Sequence, residues 1–303
     1  MKFEKATRKK AKLRLALTSP SGGGKTHGAL VIAKGLGGKI AVIDTERGSA
    51  SLYETLCNFD VLELSPPYSP ERYIEAIKVA ERAGYDVCII DSTTHEWSGS
   101  GGCLEINEET ASAKFRGNTW SAWNETTPRH RAFIDAMVQS SMHIIATGRS
   151  KTETAQQQGD NGKKTVVKLG LKTEQRDGFE YEFTVVLDIV HDGHWATASK
   201  DRTGLFSAPH IITEETGVRI KAWLDSGVAP VEIDHLALLQ AAAINGLEAL
   251  KAEHARINPP GPLWAEHSKA LKAIANKADA KSKQKFEPAS PDVGDGENIG
   301  VGK

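Results

Sequence analysis

The segment Ser19-Pro20-Ser21-Gly22-Gly23-Gly24-Lys25-Thr26 constrains this chain more than any other. It stands between a short apolar run (residues 13–18) and an amphipathic stretch (residues 25–36), so strand, loop and helix follow one another directly. It fits G-x-x-x-x-G-K-[ST] at every fixed position except the first, where Ser19 stands. Glycines there let backbone N–H groups curl around phosphate oxygens. Lys25 brings a point charge to the β- and γ-phosphates, Thr26 a hydroxyl for Mg²⁺, and the helix N-terminus adds its dipole. The alternative is a chance glycine-rich turn, and Ser19 bears only on how tightly the first turn closes.

The rest of the first 150 residues alternates short apolar runs with amphipathic stretches, which predicts an α/β fold with a mainly parallel, twisted sheet. Strands are expected at 13–18, 40–44, 61–64 (an edge), 87–91 and 143–147. Helices are expected at 25–36, 70–83 and 120–138, the last interrupted near Pro128. Residues 165–189 read as extended, antiparallel structure, and Asp192-Gly193 marks a hairpin. Beyond Pro230 the pattern is helical: Leu236, Leu239, Ala243, Leu247 and Leu250 share one apolar face, Pro259-Pro260 breaks it, and Trp264, His267, Leu271, Ile274 and Ala278 mark a second helix. The expected organisation is a basic arm (1–11), an ATPase core (12–229), a helical extension (230–285) and a disordered tail (286–303). Two polar stretches, about 95–118 and 149–164, read as long loops of the kind that carry function.

Net charge is -1, so attraction to a polyanion must come from local clusters. Residues 2–14 and 269–285 are such clusters, each equally readable as a solvated face. The three cysteines show no metal or disulfide spacing, no apolar run approaches bilayer length, and the basic N-terminus lacks a signal-peptide core. These features predict a cytoplasmic protein, in the host cytoplasm if phage-encoded, with no membrane partner.

Two carboxylates fall where the chemistry needs them. Asp91 ends the apolar run VCIID, where it could hold Mg²⁺ through water or simply cap a helix. Glu46 lies two residues past Asp44, at the strand end that faces a ligand crevice in a doubly wound sheet. It could orient and deprotonate water, or merely pair with Arg47. His95-Glu96 is not HExxH, His191 and His194 flank the hairpin with too few further ligands, and Cys103 has no evident His partner in the sequence. Trp97, Trp120 and Trp123 could stack bases but are more often packing residues.

In this order, the glycine-rich loop, IDTE at 43–46, YDVCIIDS at 85–92 and HIIATGR at 143–149 resemble the RecA core over roughly residues 12–227. The pattern looks most like phage RecA-like P-loop ATPases, including core-only single-strand annealing proteins of the Sak type. The resemblance implies that Glu46 is the catalytic glutamate and Asp91 the Mg²⁺-associated aspartate, and that Thr147, or Arg149 beyond it, senses the γ-phosphate by position. Lys200-Asp201-Arg202-Thr203-Gly204 is similar to the K-N-R-F-G motif of RadA-type ATPases, with Asp and Thr in place of Asn and Phe. It implies that Lys200 and Arg202 act on ATP held by a neighbouring subunit of a ring or filament; a plain basic turn is the alternative. The two polar stretches map onto the DNA loops of the RecA core, which makes Lys114, Arg116, Arg149, Lys151, Lys163 and Lys164 candidate contacts to single-stranded DNA. The implied function is ATP-dependent annealing or strand exchange in homologous recombination, with a single-strand binding protein as a further partner. A helicase loader or a packaging or replication accessory is the alternative, and a small-molecule kinase a weaker third.

Overall fold

The computed structural model describes residues 10–158, 164–228, 234–258 and 261–284, which divide into two compact units at residues 229/230. The first unit is built on β1 (Arg14–Ser19), β2 (Ile40–Asp44), β3 (Asp60–Glu63), β4 (Val87–Asp91), β5 (His143–Gln158), β6 (Lys164–Thr173), β7 (Val185–Ile189), β8 (Trp195–Asp201) and β9 (His210–Ile211). The sheet runs β3-β2-β4-β5-β1-β7-β8-β9. From β3 to β7 all neighbours are parallel; β8 and β9 close one edge in antiparallel fashion. This is the mainly parallel α/β sheet with an antiparallel hairpin that the alternation predicts.

Each central strand is apolar on both faces, as a doubly covered parallel sheet requires. Leu13, Leu15, Leu17, Val42, Ile89 and Leu187 enter one core cluster, while Ala16, Ile43, Ile90, Ala146 and Val186 enter the other. The first cluster is covered by α1 (Lys25–Leu36) and α6 (Glu214–Asp225), the second by α2 (Pro70–Arg82) and α5 (Thr119–Gln139). Helices α1 and α6 meet through two glycines: a Cβ on Gly35 would stand 2.1 Å from the Glu214 carbonyl, and one on Gly217 2.2 Å from that of Ile32. Gly35 is thus a packing residue, and Gly37 closes α1.

Four expectations need correction. Residues 95–118 are not a loop: they form α3 (Thr94–Ser98) and α4 (Cys103–Lys114). Helix α4 buries Cys103, Ile106, Asn107 and Ala111, a true helical spacing obscured by glutamates on the outer face. Helix α5 runs through Pro128 without a break, because the one lost backbone bond is outweighed by burial of Thr126, His130, Phe133 and Met137 along its length. The 149–164 stretch is largely a hairpin in which β5 outgrows the sheet and pairs with β6. Between β6 and β7 the chain is not all extended; it makes a 3-10 turn at Phe179–Glu182.

The second unit holds α7 (His235–Ala243), α8 (Leu247–Ile257) and α9 (Gly261–Gln284). The apolar face expected over 236–250 is split between α7 and α8 at Gly246, whose φ of 102° no helix admits. Leu239, Ala243, Leu250, Leu271 and Ala275 make a small core of its own. No helix among the described residues is long and apolar enough to cross a membrane.

Candidate nucleotide site

Strand β1 delivers the chain to Ser19, whose side chain is fully buried. Its Oγ donates to the Pro20 carbonyl at 2.7 Å, and a Cβ on Gly23 would stand 2.3 Å from the Ser19 Oγ. The serine at the motif's first position is therefore accommodated by a glycine four residues on. The loop still closes, with the Gly23 N–H donating to the Pro20 carbonyl at 3.2 Å. Gly22 and Gly24 take φ of 74° and 89°, which glycine enters cheaply. Gly24 immediately precedes α1, so the helix opens its first amides toward the cleft as an anion site.

Lys25 Nζ lies 3.3 Å from the Ser19 carbonyl, the Ser19 hydroxyl and the Pro20 carbonyl, folded over the loop it serves. Burial lowers its pKa, and the nearby Asp91 carboxylate works the other way. Asp91 ends β4 and is 1 % exposed. It accepts from Thr26 Oγ1 at 2.6 Å and from Thr147 Oγ1 at 2.5 Å. The sheet order explains this: β5 lies between β1 and β4, so Thr147 reaches across to the aspartate. Burial raises the Asp91 pKa, and the two hydroxyl hydrogen bonds oppose it. A hydroxyl and a carboxylate in direct contact, both hard oxygen donors, fit Mg²⁺, which keeps water and substrate phosphates as its other ligands.

Glu46 is placed by Asp44, whose two carboxylate oxygens accept from the Glu46 N–H at 2.6 Å and the Ala50 N–H at 3.0 Å. Its partner is not Arg47 but Arg149, with Nη2 3.0 Å from Glu46 Oε1. Arg149 lies in register with Ser19, and Thr94 Oγ1 accepts its N–H at 2.9 Å. Lys25, Thr26, Glu46, Asp91 and Arg149 thus form the polar side of one cleft of about 800 Å³, and Tyr53, Ile189 and Ile212 its apolar side. Polar groups gathered at a phosphate loop beside an apolar wall suit a nucleotide, with the wall available to its base.

A family model described as an AAA domain matches residues 11–210. The chain belongs to the AAA domain family. No curated protein matches it. Among solved structures it is similar to a crystal structure of the RadB recombinase, at 16% identity over 70% of this chain and 90% of that chain, with a TM-score of 0.35.

The AAA domain does not bring every candidate residue to the cleft. Lys200 lies beside Val186, which pairs with Ala16, and its Nζ donates to the carbonyls of Glu180 at 3.0 Å and Tyr181 at 2.5 Å. The Arg202 N–H donates to Thr184, whose own N–H donates to Arg14 at the start of β1. Five residues of strand separate that level from Ser19, roughly 17 Å. Both cations therefore sit toward the opposite end of the sheet from the nucleotide loop of their own chain. Asp201 caps the turn between them and Phe206, accepting from the N–H groups of Thr203 at 2.7 Å and Phe206 at 2.9 Å. Of the other candidates, Lys114 pairs with Glu125 at 2.6 Å, while Arg116 and Lys151 are exposed. Lys164 opens β6, and Lys163 lies outside the described residues. Trp97 and Trp123 stack on each other 5.5 Å apart, whereas Trp120 is 86% exposed.

Two histidines that the sequence offered only as metal ligands also lie at this loop. Strand β7 is parallel to β1, so the turn that follows β7 arrives at the same end as the phosphate loop. His194 Nδ1 lies 3.3 Å from the Gly23 carbonyl, and the His191 ring packs at Gly22. The available signal was that topology: a hairpin appended to a strand beside β1 must turn over the loop.

Proposed function

We propose that this AAA domain is a Mg²⁺-dependent ATPase that acts on single-stranded DNA as a ring or filament, annealing or exchanging strands in phage-type homologous recombination. The observation that carries the reading is a division of labour along the sheet. Lys25, Thr26, Glu46 and Asp91 share one cleft, whereas Lys200 and Arg202 stand toward the far end of the same sheet. In this reading Lys25 neutralises the β/γ-phosphates, Thr26 and Asp91 hold the metal, and Thr147 orients Asp91. Mg²⁺, when bound, supplies charge stabilisation at the phosphates. Glu46, held at the cleft by Arg149, takes the proton of the attacking water. Lys200 and Arg202 complete the site of the next subunit, where a cation stabilises charge developing on the γ-phosphate. Arg116, Lys151, Lys163 and Lys164 are the cations left for DNA phosphates once Lys114 and Arg149 are committed to Glu125 and Glu46. That thinning of the DNA set is what favours the second reading, a loader or replication accessory with the same ATPase cycle.

Mixing inactive subunits tests the assembly. Glu46→Gln should bind ATP while hydrolysis falls about 10²-fold or more. Arg202→Ala should also bind ATP and fail to turn it over. In a mixed oligomer some interfaces carry an intact Glu46 from one subunit and an intact Arg202 from the other, so activity should partly return. No rescue, or full ATPase activity from a particle of monomer mass, would end the trans reading. ATPase rates with and without single-stranded DNA then separate a DNA-driven cycle from an accessory one.

A further inference from the structure

Helices α3, α4 and α5 each bury one metal-binding type of side chain at the same point. Glu96, Cys103 and His130 are 0%, 0% and 4% exposed. Glu96 Oε1 lies 3.0 Å from Cys103 Sγ and 3.0 Å from His130 Nδ1, and Glu96 Oε2 is 3.2 Å from the same nitrogen. One ligand atom from each residue lies within 4.8 Å of the others. The cluster is separate from the nucleotide cleft, which none of the three residues lines.

We propose that this cluster is a site for a Zn²⁺-type divalent cation, with Cys103 Sγ, His130 Nδ1 and one oxygen of Glu96 as its three protein donors. Four arguments support it. The donor set mixes thiol, imidazole and carboxylate, which selects a borderline-soft ion and disfavours Mg²⁺ or Ca²⁺. Three protein donors of these types leave the fourth tetrahedral position to a water molecule. Zinc bonds of about 2.0–2.3 Å place donors about 3.5 Å apart, so the 3.0 Å contacts of Glu96 Oε1 with Cys103 Sγ and His130 Nδ1 need to open by only about half an ångström. Finally, a carboxylate wholly removed from water is costly without a compensating charge, which a divalent cation supplies.

The surroundings are built to hold the ligands still. Gln175 Nε2 donates to Glu96 Oε2 at 3.2 Å and to the Thr93 carbonyl at 3.1 Å, which ties the carboxylate to the end of β4. The Trp97 ring meets the His130 ring edge-on at 5.5 Å. A Cβ on Gly102 would stand 2.7 Å from the Glu96 carbonyl, so this glycine lets α4 begin directly against α3. Binding is a proton exchange: Cys103 gives up its thiol proton to buffer as the sulfur–zinc bond forms, with no change of oxidation state.

The test uses the full chain, without an affinity tag, exposed to excess Zn²⁺ and then dialysed. The expected result is about one zinc per chain, and on Co²⁺ substitution a near-ultraviolet sulfur-to-cobalt charge-transfer band with tetrahedral visible bands. Cys103→Ala and His130→Gln should abolish both, whereas Cys57→Ala should keep them. Thr26→Ala and Asp91→Asn, which alter the nucleotide cleft, should also keep them, so this site and the ATPase reading fail independently. Wild-type protein that stays folded, retains no zinc and gives no sulfur–cobalt band would overturn the proposal and leave a hydrogen-bonded cluster. The wild-type cobalt spectrum decides the matter even if the variants do not fold.

Discussion

Two arginines stand at opposite ends of one strand pair. Arg14 opens β1, and Arg149 on β5 is in register with Ser19 at the other end of β1. Arg14 is 8% exposed, and its guanidinium makes five hydrogen bonds, to the carbonyls of Leu13, Val138, Ser140 and Met142. Five is the full donor capacity of the group. Burial draws its pKa down to about 10, with Glu81 opposing, and it stays charged at neutral pH. Arg149 is 45% exposed on its side chain and meets the Glu46 carboxylate over an open cleft. Where the strands begin, polar groups are consumed by the protein's own backbone. Where they finish, Lys25, Glu46 and Arg149 keep donor and acceptor capacity facing the cleft, which a ligand can use.

The largest expected effect breaks the cleft end alone. Lys25→Ala should abolish ATP hydrolysis, because Lys25 is the cation that the phosphate loop itself carries. It should leave thermal stability unchanged or slightly raised, since burial penalises the lysine charge and that penalty disappears. Wild-type turnover, measured by phosphate release, would remove the nucleotide reading from this loop.

The next effect breaks the other end. Arg14→Leu leaves the carbonyls of Val138, Ser140 and Met142 without their donor. It should cost about 3 kcal/mol or more of unfolding free energy in denaturant titration. ATP affinity per folded molecule should not change. A loss of ATP binding with stability intact would show that the two ends are not separable in this way.

The same contrast explains what could be read from residues alone. The strand–loop–helix around Lys25, and the acids Glu46 and Asp91 at strand ends, are local: a few neighbouring residues carry both the element and its chemistry. Arg14 was indistinguishable from the basic residues before it, because three of its four partner residues lie more than a hundred residues away in sequence. Thr147 came into view by position in a resemblance, but its bond to Asp91 depends on β5 lying between β1 and β4. Helix α4 was hidden because one of its buried positions is Asn107 and its outer face carries Glu105, Glu108 and Glu109. His191 and His194 meet the phosphate loop only through the sheet order, and Glu96, Cys103 and His130 only through three helices that no spacing rule links.

A third region extends the comparison beyond the sheet, where β5 and β6 leave it as a hairpin. If Lys151, Lys163 and Lys164 meet DNA phosphates there, neutralising all three should flatten the log–log salt dependence of single-strand binding by about two units. ATP hydrolysis without DNA should be untouched. An unchanged slope, read by fluorescence anisotropy across salt concentrations, would confine any DNA contact to other cations such as Arg116.

The smallest effect returns to the end where the strands begin. His143 opens β5, and its Nδ1 accepts the Leu13 N–H at 2.9 Å. Burial lowers its pKa to about 4, with Lys12, Lys221 and Arg14 adding in the same direction and Asp225 opposing. The folded chain therefore resists protonation where the unfolded chain, near 6.5, accepts it. Stability from this group is fully present above about pH 6.5 and is lost as pH falls toward about 4. The ring is partly exposed, so solvent screening reduces the full linkage to roughly 1–2 kcal/mol. His143→Gln keeps an acceptor for Leu13 and cannot titrate, which isolates this contribution from carboxylates that also titrate in acid. The wild type should lose about that much relative to His143→Gln between pH 7 and pH 4.5 in denaturant titrations, while ATP affinity follows the same pH course in both proteins. A constant stability difference across that window would mean that the backbone bond at this end survives protonation. A divergence in ATP affinity would mean that the beginning of β5 communicates with Thr147 and Arg149, which lie beside the end of β1, contrary to the separation drawn from the two arginines.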